Sequence, residues 1–219
     1  MGNTYEVRPA STADIPFLAD AIIAADKGHS ERSSFVGIFG VSEAELPGLI
    51  SDMLDEEIPG CEFSVDSFLI ATAAGVPVAT FGAWIEGQPE GQPSKVLKSN
   101  LIGYTFGPAR VGRLKEASVL SDLFIDREKG ALQLEYLYVA DDHRGKGLGG
   151  LLVDALIRRG QQEEPGLAKV QVQLYADNHP ARTVYLRRGF EVRTSAASAD
   201  PAIFRFLPSA EKIMMEKHL

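Results

Sequence analysis

The residues best suited to chemistry stand at 144–150, Arg144-Gly145-Lys146-Gly147-Leu148-Gly149-Gly150, between a strand-like stretch and a helix-like one. Glycines let an anion approach the backbone, and the first turn of a helix offers free N–H groups at a positive dipole end. The spacing therefore predicts a pyrophosphate seat on the amides of this turn. Gly145, Gly147 and Gly150 also satisfy the G-x-G-x-x-G pattern of dinucleotide-binding turns. That pattern expects an early strand before the turn and an acidic residue about 20 positions on, at the end of the next strand. Here Glu163 and Glu164 fall at the helix end, Asp177 comes late, and an antiparallel half precedes the motif. A Walker loop is excluded, because Gly145-Lys146 is followed by glycine rather than Ser or Thr.

The elements around this turn follow from apolar periodicity. Residues 132–139 pattern as a strand, and 147–162 as a helix with Leu148, Leu151, Leu152, Ala155 and Leu156 on one side. Residues 169–175 form a valine-rich strand, and strand, helix, strand implies parallel neighbours. A short helix over 180–188, a strand opening at Phe190, a polar loop holding Pro201 and Pro208, and a β-like segment over 212–219 follow.

Toward the N-terminus, 5–9 open as a strand, and Ile15, Leu18, Ala19, Ile22 and Ile23 recur at helical spacing behind Ser11, Thr12, Asp14 and Pro16. Ser42 and Glu45 make a capping box ahead of Leu46, Leu49, Ile50, Met53 and Leu54. Residues 67–73 and 76–84 read as a hairpin about Ala74-Gly75. Residues 86–129 break the pattern. Gly87, Pro89, Gly91, Pro93 and Ser94 form a loop, and periodicity returns only in patches such as 119–125. This stretch reads as an insertion over one face, either an ordered loop of a length usually kept for function or a disordered excursion.

The 219 residues, 45% hydrophobic and 24% charged, suit one domain over 1–219 with a substantial core. No apolar run approaches the roughly 18 to 20 residues that span a bilayer, and the polar start carries no signal region. A soluble, cytoplasmic protein with no membrane partner is expected. Cys61 alone forms no internal disulfide, and the four histidines show no HExxH or CxxC spacing, so no metal is expected. A net charge of −8 without a dense Lys/Arg block argues against nucleic acid.

Arg144-x-x-Gly147-x-Gly149 resembles the R/Q-x-x-G-x-G/A signature of the GNAT family of N-acetyltransferases. The preceding Leu134-Glu135-Tyr136-Leu137-Tyr138-Val139 resembles the family's fourth strand. Asn178-His179-Pro180-Ala181 with Tyr185 and Gly189-Phe190 resembles its N-x-x-A-x-x-x-Y-x-x-x-G-F segment. The resemblance implies an α/β GNAT fold: a mixed central sheet with splayed fourth and fifth strands, flanked by helices, here with an insertion before the fourth strand. It also implies acetyl-CoA as acetyl donor, a primary amine of a small molecule as acceptor, and transfer by direct attack on the thioester. The pantetheine arm would run along Leu137, Tyr138 and Val139, with a backbone amide near Leu137 or Tyr138 facing the thioester oxygen. The pyrophosphate would sit on Gly145, Lys146, Gly147, Leu148, Gly149 and Gly150, with Arg144 and Lys146 near the phosphates. Asn178 would bond the arm, and Tyr185 would protonate the departing sulfur.

Glu135, on the strand beside the expected gap, is the candidate general base. Each residue has a plainer reading beside this one: Asn178 a helix cap, Tyr185 packing, Glu135 a solvent-facing strand residue, Arg144 and Lys146 a solvated turn. The same motifs also suit a non-catalytic acyl-CoA-binding sensor. Residues 26–41 and the insertion form the expected acceptor wall, with Phe35, Phe39, Trp84, Tyr104 and Phe106 as candidate lining. The exposed sheet or the insertion offers a surface for a homodimer.

Overall fold

A computed structural model describes residues 4–28, 30–88 and 91–219; Pro89 of the expected loop lies outside the described residues. Seven strands occur among those described: β1 (Tyr5–Pro9), β2 (Phe68–Ala73), β3 (Val76–Ile85), β4 (Leu132–Val139), β5 (Lys169–Tyr175), β6 (Glu191–Ala197) and β7 (Glu211–His218). They form a mixed sheet in the order β1-β2-β3-β4-β5-β7-β6. Every neighbouring pair is antiparallel except β4 and β5, which are parallel, as the strand-helix-strand pattern implies. The helices are α1 (Ile15–Lys27), α2 (Ser34–Phe39), α3 (Leu46–Asp55), α4 (Ser94–Val111), α5 (Leu148–Glu163) and α6 (His179–Leu186).

Two apolar clusters lie on opposite faces of the sheet. On one, Leu152, Val153 and Leu156 of α5 pack with Phe81, Leu134, Val172 and Met215. On the other, Leu18 and Ile22 of α1, Ile50 and Met53 of α3, and Leu101 and Ile102 of α4 pack with Phe68 and Ile70. Each aliphatic side chain buried in this way contributes about 1.5–3 kcal/mol. The α5 contacts consequently fix the glycine turn rigidly relative to β4.

Local signals explain the element ends. The Asp14 carboxylate accepts from Ser11 N and Ser11 Oγ, both at 2.9 Å, and from both Arg8 Nη atoms at 2.8 Å. The Arg8 bonds, aided by Ser11 against the cost of burial, hold the Asp14 carboxyl at about 2. Ser42 and Glu45 form their capping box ahead of α3. Ala74 and Gly75 both have positive φ, 50° and 81°, as a two-residue hairpin turn demands.

Two expectations are corrected. The described residues of 86–129 are largely helical: α4 runs 18 residues and continues into a 3₁₀ segment, Gly112–Leu123, before an irregular tail over 124–129. Its periodicity was hidden because Gly107 (φ 75°) and Pro108 kink α4 and Tyr104 projects into solvent at 78% exposure. The expected 26–41 loop contains α2, six residues long and too short to show a period; Ser33 Oγ caps it by accepting from Phe35 N at 3.2 Å. No helix among the described residues is long and apolar enough to cross a membrane.

Candidate functional site

β4 and β5 pair at only three positions, Leu132↔Val170, Gln133↔Gln171 and Leu134↔Val172, and then part. Beyond that point β4 is bonded only to β3, and Gln173, Leu174 and Tyr175 of β5 only to β7. The cause is local. Between Thr80↔Tyr138 and Gly82↔Glu135 the register shifts, so Tyr136 and Leu137 together oppose Phe81 as a bulge. Tyr136 takes φ 61°, a left-handed conformation that bulky residues rarely adopt. The bulge turns β4 away from β5 and leaves the edge of residues 135–139 without a strand partner.

A cavity of about 660 Å³ fills the gap. Glu135, Tyr136 and Leu137 of β4 line it on one side, and Val172 to Tyr175 of β5 on the other, with Asn178 and Tyr185 at its end. Tyr185 is 3% exposed, its ring tilted against Phe81 and Phe190 with centroids 6.3 and 5.7 Å away. Burial, then the negative charge of Glu135, push its phenol well above the ordinary range and keep the proton on oxygen. Packing and access to the cavity thus coexist in this residue. Asn178 caps α6, its Oδ1 accepting from Ala181 N at 3.2 Å while the residue lines the cavity.

The glycine turn lies on the α5 side. Gly145 and Gly147 take φ of 74° and 82°, and nothing stands within 4 Å of where a Cβ would project. Gly147 is the N-cap of α5 and no side chain caps the helix, so the first-turn amides face open space. Leu148 is a core residue at 2% exposure and offers only its backbone. A Cβ on Gly149 would come within 3.4 Å of Leu137 Cδ2, which seats the turn directly beside β4. Gly150 has a different reason for being glycine: the Arg188 guanidinium crosses over it and Arg188 Nε donates to Gly150 O at 2.9 Å. Arg144 and Lys146 brace the turn. Arg144 Nε donates to Val139 O at 3.1 Å and its Nη2 pairs with Asp141, while Lys146 Nζ donates to Asp142 O at 2.6 Å.

A group without any sequence motif completes the cavity. Arg127 Nη2, from the tail of the insertion, donates to Glu135 Oε2 at 2.6 Å and approaches Glu62 Oε1 at 3.4 Å. Its guanidinium lies over Trp84, 4.9 Å from the ring centre, and its Nη1 contacts Ser94 Oγ at 3.0 Å. Lys98 Nζ donates to Glu62 Oε1 at 2.8 Å. Burial alone would raise the Glu62 carboxyl, but Lys98 and Arg127 outweigh it and hold it well below the ordinary range. Glu62, Lys98 and Arg127 belong to no local motif because they are far apart in the chain.

Of the aromatic candidates, Phe35 and Phe39 line the cavity. Phe106 instead packs on Phe39 at 4.9 Å, Trp84 lies beneath Arg127, and Tyr104 faces solvent.

Comparison with known proteins agrees with this geometry. The sequence profile of the "Acetyltransferase (GNAT) family" matches residues 50–190. A mycothiol acetyltransferase from Corynebacterium aurimucosum is 44% identical over 54 residues, a match covering 25% of this chain and only 17% of that relative. Among solved structures, an N-acetyltransferase from Staphylococcus aureus superposes with a TM-score of 0.67 at 13% identity, covering 97% of this chain and 100% of that one. The polyamine N-acetyltransferase of Drosophila melanogaster gives 0.61 at 15% identity, covering 99% and 100%. A ribosomal-protein-alanine N-acetyltransferase from Brucella melitensis gives 0.54 at 17% identity, covering 98% and 99%. With a mixed seven-strand sheet, parallel β4 and β5, and a profile match over most of its length, the chain belongs to the GNAT family of acetyltransferases.

Proposed function

We propose that this chain transfers the acetyl group of acetyl-CoA to the primary amine of a small molecule, by direct attack of the amine on the thioester. The observation that carries the reading is the gap between β4 and β5, with Glu135 and Tyr185 on its walls and the glycine turn packed beside Leu137. The residues fit the donor. Open amides at 145–150 suit a pyrophosphate, and the edge of Leu137, Tyr138 and Val139, which has no strand partner although Val139 O accepts from Arg144 Nε, suits an extended arm that bonds like an added strand.

Acetyl-CoA supplies an activated acyl group: an N–C bond forms, the C–S bond breaks, and an N-acetylated amine and a free thiol result. Glu135 takes a proton from the attacking amine, directly or through water, and releases it to solvent. One of the two bulge residues, Tyr136 or Leu137, has no ladder partner opposite Phe81, and its N–H is available to the negative charge developing on the thioester oxygen. Tyr185 donates its phenolic proton to the departing sulfur and regains one from solvent, so protons balance over the cycle.

A small acceptor is supported by the cavity itself, roofed by Phe124 to Arg127 of the insertion. Structures of similar fold include agmatine and polyamine N-acetyltransferases. The reading sets the reaction in the cytoplasm. It is tested by incubating the protein with acetyl-CoA and a panel of primary amines and following thiol release. Amine-dependent thiol matched by N-acetylated product is expected. Acetyl-CoA binding without amine-dependent thiol would reduce the chain to a sensor.

A further inference from the structure

The charges around the cavity are unevenly satisfied. Asp26 accepts from Ser33 Oγ, Ser34 N and Ser34 Oγ at 2.5, 2.7 and 2.5 Å. Glu135 is held by Arg127, Asp126 by Lys95 at 3.3 Å, and Glu86 by Trp84 Nε1 and Ser94. Each lining carboxylate therefore already has a donor. Lys212 has no counterpart. Half-buried at the start of β7 and lining the cavity, its ammonium makes no hydrogen bond or ion pair among the described residues. Lys129, the other lining cation without an ion pair, is exposed to water. A charge held away from water without a partner is costly, and the cost is relieved by an anion bound beside it.

The register fixes which side this cation serves. Lys212 pairs across the ladder with Tyr175, and its neighbours Ile213 and Met215 point into the cluster beneath α5. By strand alternation Lys212 projects from the other face, where Glu135, Arg127 and Asp26 are close enough to act on its charge. The glycine turn lies on the α5 face, so the anion that meets Lys212 is not the donor's pyrophosphate. Burial lowers the Lys212 ammonium from its usual range, with Lys98 and Arg127 adding to the effect against Glu135 and Asp26.

Resting on the transfer reading above, we infer that Lys212 binds a carboxylate of the acceptor, so that the preferred substrates are amines that carry a carboxylate, in the manner of amino acids, rather than polyamines. The amine end lies toward Glu135 on β4 and the carboxylate end toward Lys212 on β7, across the cavity.

The test uses amino acids paired with their decarboxylation products: arginine with agmatine, lysine with cadaverine, β-alanine with ethylamine and γ-aminobutyrate with propylamine. Thiol release is measured with wild type, Lys212→Met and Lys212→Arg. A charge-assisted contact predicts that the carboxylate member of at least one pair is favoured about tenfold to a hundredfold in kcat/KM. Lys212→Met should collapse that preference to about twofold by raising KM, Lys212→Arg should retain most of it, and acetyl-CoA affinity should be unchanged in both. Equal or better turnover of the decarboxylated members, or a preference that survives Lys212→Met, overturns the inference and leaves the transfer reading intact. If no amine is turned over, the transfer reading fails. Calorimetric titration of the same pairs into coenzyme A-loaded protein then decides for Lys212 alone: binding that needs both the carboxylate and Lys212 supports the site, and its absence overturns it.

Discussion

Arg127 Nη2 lies 2.6 Å from Glu135 Oε2, so a residue from the insertion grips the carboxylate that borders the gap between β4 and β5. The same guanidinium reaches toward Glu62, Ser94 and the face of Trp84, four contacts that tie the tail of the insertion to the sheet beneath it. Orienting Glu135 and closing the cavity are thus one structural act.

Removing this tie exposes its energetic role. Arg127→Met leaves fully buried Glu62 with Lys98 as its remaining ionic partner, and breaking such a pair costs about 3–5 kcal/mol. A matching drop in the urea midpoint is expected, partly recovered by the double variant Glu62→Met, Arg127→Met. No drop would mean that the network contributes nothing to folding.

Glu135→Gln keeps the shape and loses the base. Turnover per amine should fall about 10²-fold or more, with acetyl-CoA affinity retained. The check is kcat/KM for the amine alongside calorimetric binding of the donor. Unaltered kcat/KM removes Glu135 from proton transfer.

Tyr185→Phe retains the ring that packs on Phe81 and Phe190. Donor affinity should stay within about twofold and kcat fall about 10- to 100-fold, because the hydroxyl acts only as the sulfur departs. Full activity in the variant restricts Tyr185 to packing.

The two glycines of the turn should behave differently. Gly147→Asn keeps the left-handed conformation at small cost but fills open space, so acetyl-CoA affinity should fall at least about tenfold with little loss of stability. Gly150→Ala forces Arg188 aside and breaks its bond to Gly150 O, so melting temperature should fall. Calorimetry and thermal melts separate the two.

Asp14 makes stability depend on pH in a defined window. Its carboxyl is held at about 2 against an ordinary 3.8, so the contribution is present above the unfolded value and lost as pH falls from 3.8 toward 2. Discounted for the partial exposure of Arg8, it amounts to about 1–2 kcal/mol. Urea midpoints of wild type and Asp14→Asn should differ above about pH 5 and converge near about pH 2.

Much of this architecture was legible from spacing alone. β4, α5, β5 and the glycine turn announce themselves because Leu148, Leu152 and Leu156 recur at helical spacing between a leucine-rich strand and a valine-rich one. The gap followed from the family resemblance alone, since apolar spacing carries no sign of the one-residue register shift at Tyr136. α4 was obscured by Gly107 and Pro108, and the charged constellation by distance along the chain: Glu62, Lys98, Arg127, Glu135 and Lys212 meet only after folding. At Gly150 the letters do not reveal the Arg188 guanidinium over the α-carbon, which requires glycine there independently of any phosphate contact.

Backbone hydrogen exchange with and without saturating coenzyme A tests the central claim most directly. The account predicts rapid exchange at unpartnered amides within 135–139 and in the turn at 145–150 of the free protein, and marked slowing at both segments on binding. Unchanged exchange at the β4 edge in the saturated protein would contradict it.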